Sequence, residues 1–234
     1  MVRIAVVIMM VATLARAQRV DAPLPVTRPT TRPATSQPAT QPGFDITIEC
    51  EVPELQEWAD SLRPIVEKWY PIIVQTFPSE GYTAPRKFSI LIKEDRQIAY
   101  ASGTRIVCGA AWFRQRPNDR GAIVHELVHI AQQYRGRNRP GWLVEGIADY
   151  LRWFKYEPVN KRPRPNPNRA KYTDGYQTTG AFLEWLAGNK DHEIVVKLNA
   201  ALRQGKYRAD LWEEYTGSTV DALWEEYVQT LRAK

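Results

Sequence analysis

The sequence is poor in the residues that most often cross-link chains or bind transition metals. Its 234 residues include only two cysteines, three histidines and three methionines. Cys50 and Cys108 do not form a CxxC pair, which argues against a zinc site built on thiolates. In an oxidising compartment the two could form a disulfide, and two buried free thiols are an equally good interpretation. A metal site in this chain would therefore depend on histidine and carboxylate ligands.

A short apolar run opens the chain. Arg3 supplies a positive charge, residues 4–14 are apolar but too few to span a bilayer comfortably, and Ala15-Arg16-Ala17 offers small residues at cleavage spacing. We therefore expect residues 1–17 to be a signal peptide, and the mature protein to be secreted, periplasmic or at the cell surface, without stable membrane insertion. An uncleaved N-terminal anchor is the alternative. A lipid anchor is not expected, because no cysteine lies near the cleavage site.

The formal net charge of +6 belongs largely to the beginning of the chain. Five of the 32 Lys and Arg residues and one of the 26 Asp and Glu residues precede residue 44, which leaves a net charge of +2 for the rest. So small a charge gives little support to a nucleic-acid partner, and we expect none.

Residues 18–43 differ in composition from everything that follows. They are rich in Pro, Thr and Arg, with almost no apolar side chain to bury, which predicts a disordered, extended spacer. Residues 44–234 are enough for one folded domain of ordinary size. We see no internal repeat and expect a monomer.

The hydrophobic periodicity of this domain predicts an α+β fold. Strands are expected at residues 45–50, 87–93 and 98–113, the last as one or two strands around a Ser102-Gly103 turn. A helical stretch at residues 54–77 is expected to be interrupted or kinked by its two prolines, Pro64 and Pro71. From residue 119 the chain is mostly helical, with a broken loop at 160–171 and helices near 119–135, 141–156, 175–187, 190–203 and 219–232. A β-rich half followed by a helical half is typical of an α+β domain.

Two of the three histidines lie four residues apart in an apolar segment that predicts a helix. This spacing places His125 and His129 on one helix face, one turn apart, as two ligands of a tetrahedral zinc ion require. Glu126 is rotated around the helix axis from His125, so it could reach a water molecule on the metal and act as general base and then as general acid. The same string also arises by chance, when the histidines only satisfy ordinary hydrogen bonds. His192 is expected to be a surface residue near a helix start.

The next helical segment supplies candidates for the third ligand. Glu145 lies among apolar residues, and burying its carboxylate is costly unless a metal compensates. Asp149 lies one turn further on and could hydrogen-bond a ligand imidazole. We favour Glu145 as the ligand, because its side chain reaches further, and Asp149 as the group that orients a histidine. The alternative is that both are surface acids that pair with Arg135, Arg137 or Arg152.

Taken together, these motifs resemble a known family. HELVH at residues 125–129, WLVEGIADY at 142–150 and GYQTTGAFLEWL at 175–186 are similar to the basic secretory protein family of peptidases, of the glutamate-zincin type. The resemblance covers residues 44–231 and is sharpest between 121 and 186. It implies a zincin-like fold, with a small twisted mixed sheet packed on the HExxH helix and a mostly helical C-terminal half. It also implies a glutamate as third ligand, with an aspartate four residues on. The gap of 16 residues between His129 and Glu145 is shorter than in the best-known glutamate zincins, so the choice between Glu145 and Asp149 stays open.

The resemblance also places residues around a substrate cleft. It puts a Gly-Tyr pair before the helix at 175–187, so Tyr176 is a candidate to stabilise the oxyanion, with a packing tyrosine as the alternative. It puts the strand at residues 99–109 at the edge of the cleft, where it would pair with extended substrate. Six arginines flank the site and could favour acidic substrates or polyanions, or form a solvated face: Arg114, Arg116, Arg120, Arg135, Arg137 and Arg139.

The sequence thus predicts a secreted zinc metallopeptidase that acts on a peptide or protein substrate. His125, His129 and Glu145 are predicted to hold Zn²⁺ with water in the fourth position, and Glu126 to activate that water. One alternative is an inactive secreted binding module on the same fold, against which the intact Glu126 counts. The other is a structural zinc protein, which would need a fourth good protein ligand.

Overall fold

The computed structural model describes residues 43–233. The predicted signal peptide, residues 1–17, and the predicted spacer up to residue 42 lie outside the described residues. No helix in the described part of the chain is both long and apolar enough to cross a membrane.

In residues 43–233, four strands form a mixed sheet in the order β1-β2-β4-β3, which confirms the predicted α+β class. Their bounds are β1 Asp45–Cys50, β2 Lys87–Lys93, β3 Ala99–Ser102 and β4 Arg105–Gly109. The first three strands in spatial order run parallel, and β3 pairs antiparallel with β4 through a tight turn at Gly103. One edge of β3 therefore has no strand beside it among the described residues.

The prediction of strand up to residue 113 is wrong at its end, because β4 stops at Gly109 and a helix follows. Gly109 is opposite Lys93, the last residue of β2, so the pairing of β4 with β2 ends at this position. A side chain at Gly109 would also lie 1.9 Å from the carbonyl oxygen of Gln97, so this position must remain glycine. The chain turns at this crowded point and begins a helix at Ala110.

The helices confirm a mostly helical C-terminal half. Their bounds are α1 Gln56–Asp60, α2 Arg63–Thr76, α3 Ala110–Gln115, α4 Gly121–Gln132, α5 Gly141–Leu151, α6 Tyr176–Asn189, α7 Ile194–Arg203, α8 Leu211–Thr216 and α9 Val220–Arg232. A π-type turn at Arg152–Tyr156 extends α5. The predicted helix at 54–77 is divided into α1 and α2. Pro64 lies in the first turn of α2, where a backbone N–H would have no acceptor within the helix, so its missing N–H costs nothing there. The helix α8 was not predicted.

The helix α4 lies at the centre of the domain. It packs against α2 on one side and against β3, β4 and α5 on others. Apart from the partly buried His129, each of its residues is buried. Polar side chains on such a helix must find partners or bind something, because water cannot satisfy them.

The two cysteines are free thiols. Cys50 on β1 and Cys108 on β4 both lie opposite Ile92 of the strand between them. Two strand spacings separate their backbones by about 9.5 Å, beyond the roughly 7 Å that a disulfide can bridge. The disulfide interpretation is therefore excluded, and burial raises the pKa of the Cys108 thiol, which leaves it unreactive.

Candidate metal centre

Three ligand atoms converge beside α4. His125 and His129, one turn apart on α4, bring their Nε2 atoms within 3.1 Å of each other. Glu145 of α5 places its Oε2 atom 3.1 Å from His125 Nε2 and 3.4 Å from His129 Nε2. Tetrahedral zinc with bonds of 2.0–2.1 Å needs ligand atoms about 3.3 Å apart. The triangle formed by His125 Nε2, His129 Nε2 and Glu145 Oε2 therefore has the size of a metal site. These three residues form a group that could hold a metal ion.

The hydrogen bond at Nδ1 of each imidazole determines whether the Nε2 atom that faces the triangle carries a proton or a lone pair. His125 Nδ1 lies 2.7 Å from Asp149 Oδ1, and His129 Nδ1 lies 2.7 Å from Gln132 Oε1. Because both partners are oxygen acceptors, a neutral ring at either position carries its proton on Nδ1 and points its Nε2 lone pair into the triangle. Two lone pairs and a carboxylate oxygen then face one another, an arrangement that a cation between them would stabilise.

Glu145 and Asp149 occupy different places although both belong to α5. Glu145 reaches the triangle, whereas Asp149 lies behind His125 and is 3% exposed. The second carboxylate oxygen of Asp149 accepts a hydrogen bond from Trp153 Nε1 at 3.2 Å. The alternative of two surface acids paired with arginine is excluded by these contacts. Glu145 therefore belongs to the group that could hold a metal ion and Asp149 does not, while the roles of ligand and orienting group stay predictions.

The electrostatics of the site favour positive charge. Burial acts to lower the pKa of His125, but its hydrogen bonds to Asp149 and Glu145 outweigh burial and raise the pKa to about 9. Burial acts to raise the pKa of Glu145, but the two histidines outweigh it and lower the pKa to about 2. Protons and a metal cation would therefore compete for the same lone pairs, as is usual for histidine ligands.

Glu126 lies beside the triangle without belonging to it. The residue is 7% exposed and lines the cleft, and its Oε2 atom has no hydrogen-bond partner among the described residues. Burial raises the pKa of Glu126, an effect that the neighbouring histidines partly oppose. A buried carboxylate oxygen without a partner is costly, and such groups are typical of sites that bind or transfer a proton.

Tyr176 begins α6 in a conformation that is unusual for its residue type. Its φ is +45°, and Gly175 before it has φ +76°. Its ring stacks on His125 with the centroids 6.0 Å apart, yet the residue is 55% exposed. A packing tyrosine would be buried, so the position favours a role facing the cleft. Backbone strain of this kind costs about 1–3 kcal/mol and concentrates at functional sites.

Close contact between α5 and α6 explains how Tyr176 comes near Glu145. A side-chain carbon added at Gly146 of α5 would lie 2.2 Å from Thr179 Cγ2. One added at Gly180 of α6 would lie 3.0 Å from the backbone nitrogen of Tyr150. The two glycines let the helix backbones approach closely, which holds the start of α6 over the middle of α5.

An open cleft of about 1310 Å³ is lined by the three candidate ligands together with Glu126 and Tyr176. One wall comes from α4 and β3, including Tyr100 and Ala101, and the other wall comes from α5 and the start of α6. Of the six arginines considered, Arg135 and Arg139 line the cleft, whereas Arg114 pairs with Glu54 and Glu94 elsewhere. His192 is exposed and lies outside the cleft lining, as expected.

Two residues of the site were missed in the sequence. Gln132 contacts His129, and Trp153 contacts Asp149. The signal for Gln132 was present, because a residue three positions after His129 lies on the same helix face. Trp153 follows Asp149 by four residues, which is also a same-face spacing.

Residues 56–227 match the model of the BSP family, described as peptidase of plants and bacteria. The match covers most of the chain, so the protein belongs to this peptidase family, and the resemblance drawn from its motifs is confirmed. A peptidase implies a protein or peptide substrate. No curated protein and no solved structure matches the chain.

Proposed function

We propose that this protein is a secreted, zinc-dependent peptidase with a zincin-like fold, whose metal is held by His125, His129 and Glu145. One observation carries the proposal: three electron-pair donors converge at metal-site spacing beside a buried carboxylate oxygen that has no partner in the described residues. Two imidazoles and one carboxylate, with a position left open, are a donor set of catalytic zinc sites. When bound, zinc supplies a Lewis acid that acidifies water and polarises a carbonyl group.

Glu126 is the proposed general base and acid. Its carboxylate takes a proton from the attacking water as the new oxygen–carbon bond forms, and it returns that proton to the amine nitrogen as the carbon–nitrogen bond breaks. Burial raises the pKa of Glu126, which suits a group that must both accept and release a proton.

The remaining groups of the cleft would orient the substrate. The edge of β3 that has no strand beside it in the described part of the chain would offer backbone donors and acceptors to an extended peptide, which would add as a further strand. The hydroxyl of Tyr176, at the opposite wall, would donate a hydrogen bond to the oxygen that becomes negatively charged. Asp149 holds the His125 ring so that its Nε2 lone pair faces the ligand triangle.

The first experiment combines metal analysis of the full chain with cleavage of a peptide library, with and without a chelator. We expect one equivalent of zinc and cleavage that the chelator abolishes. Glu126→Gln should keep the metal and lower turnover by about 10²- to 10⁴-fold, because only proton transfer is removed.

Three results would contradict the proposal in different ways. Turnover retained by Glu126→Gln would exclude the assigned base. Zinc binding without any cleavage by the wild type would favour an inactive binding module. A zinc ion that no small ligand can approach would favour a structural site, although only three residues form the group in the described part of the chain.

A further inference from the structure

Gln132 uses both ends of its side-chain amide at the candidate metal centre. It is the last residue of α4 and is 3% exposed. Its Nε2 donates to the carbonyl oxygen of Val144 at 3.2 Å, so its Oε1 is the atom that faces His129 Nδ1 at 2.7 Å. One side chain therefore connects a candidate ligand on α4 with the residue that directly precedes Glu145, the candidate ligand on α5.

The two histidines are held by different chemistry. His125 donates to the carboxylate of Asp149, whereas His129 donates to the neutral amide of Gln132. Both hydrogen bonds leave the proton on Nδ1 and direct the Nε2 lone pair into the triangle. In neutral histidine the proton can instead occupy Nε2, and a ring in that form cannot donate its Nε2 lone pair to a metal.

The backbone of Gln132 is itself anchored from the other side. Arg203 is buried, and its guanidinium donates to the carbonyl oxygens of Gln132 at 3.2 Å and Ala131 at 2.9 Å. It also donates to the carbonyl oxygen of Phe77 at 2.7 Å. A cation at a helix C-terminus satisfies carbonyl groups that have no partner within the helix. The Gln132 side chain consequently starts from a fixed backbone and pays little conformational entropy to hold His129.

We infer that Gln132 is a positioning residue of the metal centre: it selects the Nδ1-protonated form of His129 and ties this ligand to the backbone beside Glu145. This inference rests on the proposed function, because it concerns the residues that would hold zinc. Outer hydrogen-bond partners of metal-bound histidines typically change metal affinity by about 10- to 100-fold when removed. Gln132 should act in that range, and through two ligands at once.

The test compares Gln132→Met with Gln133→Met in the full chain loaded with Zn²⁺. Methionine approximates the length of glutamine but offers neither the strong acceptor nor the donor. Gln133 is the matched control, because it lies at the same helix end and its amide donates to the carbonyl oxygens of Gly103 at 2.8 Å and Ile130 at 3.2 Å and to neither histidine. Zinc affinity is measured by competition with a chelator, and the imidazole N–H protons are observed by NMR.

We expect Gln132→Met to bind zinc about 10- to 100-fold more weakly than the wild type, with Gln133→Met unchanged. The His129 N–H resonance should lose its hydrogen-bonded shift and exchange faster with water, while the His125 resonance stays as in the wild type. A merely structural role would not alter one imidazole alone. Wild-type zinc affinity, or an unchanged His129 resonance, in a folded Gln132→Met variant would overturn the inference.

Gln132→Glu keeps the test decisive if the methionine variant does not fold. When its carboxyl is ionised, the variant retains an acceptor for His129 Nδ1 but replaces the donor to Val144 with a charged oxygen. The His129 resonance should therefore remain hydrogen-bonded, and zinc affinity should stay within about tenfold of the wild type. Loss of that resonance in a folded Gln132→Glu variant would overturn the inference. A wild type that binds no zinc would instead refute the proposed function, and the two failures are thereby distinguished.

Discussion

The two walls of the cleft are built in different ways. On one side, His125, Glu126 and His129 belong to a single buried helix, so their relative positions follow from helical geometry. On the other side, Glu145 and Tyr176 come from α5 and α6, and only the close packing of these helices brings them together. The first wall should therefore tolerate changes elsewhere in the domain, whereas the second depends on contacts between elements.

The largest expected effect comes from comparing the same substitution on each wall. Glu145→Gln should lower zinc affinity by more than the roughly 100-fold typical of outer hydrogen-bond partners, because it removes a charged ligand. Glu126→Gln should bind zinc as the wild type does. Metal content after dialysis against a chelator distinguishes the two variants, and zinc retained equally by both would remove Glu145 from the ligand set.

A smaller effect is expected at the start of α6. Tyr176→Phe should lower kcat by about 10²- to 10³-fold without changing zinc affinity, because it removes one donor to the developing oxyanion. Tyr172→Phe is the control, since the Tyr172 hydroxyl donates to Asp221 and lies outside the cleft lining. Steady-state kinetics with a single cleaved peptide would check this, and equal kcat values for the wild type and Tyr176→Phe would contradict it.

The smallest change probes the packing that aligns the second wall. Gly146→Ala places a carbon 2.2 Å from Thr179, and such overpacking typically costs about 1–3 kcal/mol in the free energy of unfolding. Zinc affinity should fall as well, because Glu145 lies next to the displaced turn. Gly188→Ala is the matched control on α6, where the added carbon would meet no described atom within 4 Å apart from its own helix backbone, and it should be neutral or stabilise by up to about 1 kcal/mol. Chemical denaturation measures the free energy of unfolding of both variants. Equal values would show that the contact between α5 and α6 accommodates the added carbon without loss of stability.

Local pattern was sufficient for much of this domain. The predicted strands at 45–50 and 87–93 have the observed bounds, because alternating apolar residues with β-branched side chains leave little ambiguity. The strand prediction failed beyond Gly109, where a backbone contact with Gln97 decides the turn. The helix α8 was missed because six residues carry too little periodicity to be distinguished from a loop.

The candidate site also has a part that the sequence determines and a part that only helix packing determines. Sequence alone determined the grouping of His125, Glu126 and His129, since the 3.6-residue period of a helix places them without reference to any other element. Only the tertiary structure decided that Glu145 completes the triangle while Asp149 supports His125, and that Cys50 and Cys108 remain apart. It also decided the contact of Gln132 with His129 and Val144. These outcomes depend on the distance and angle between packed elements, which spacing along the chain does not encode.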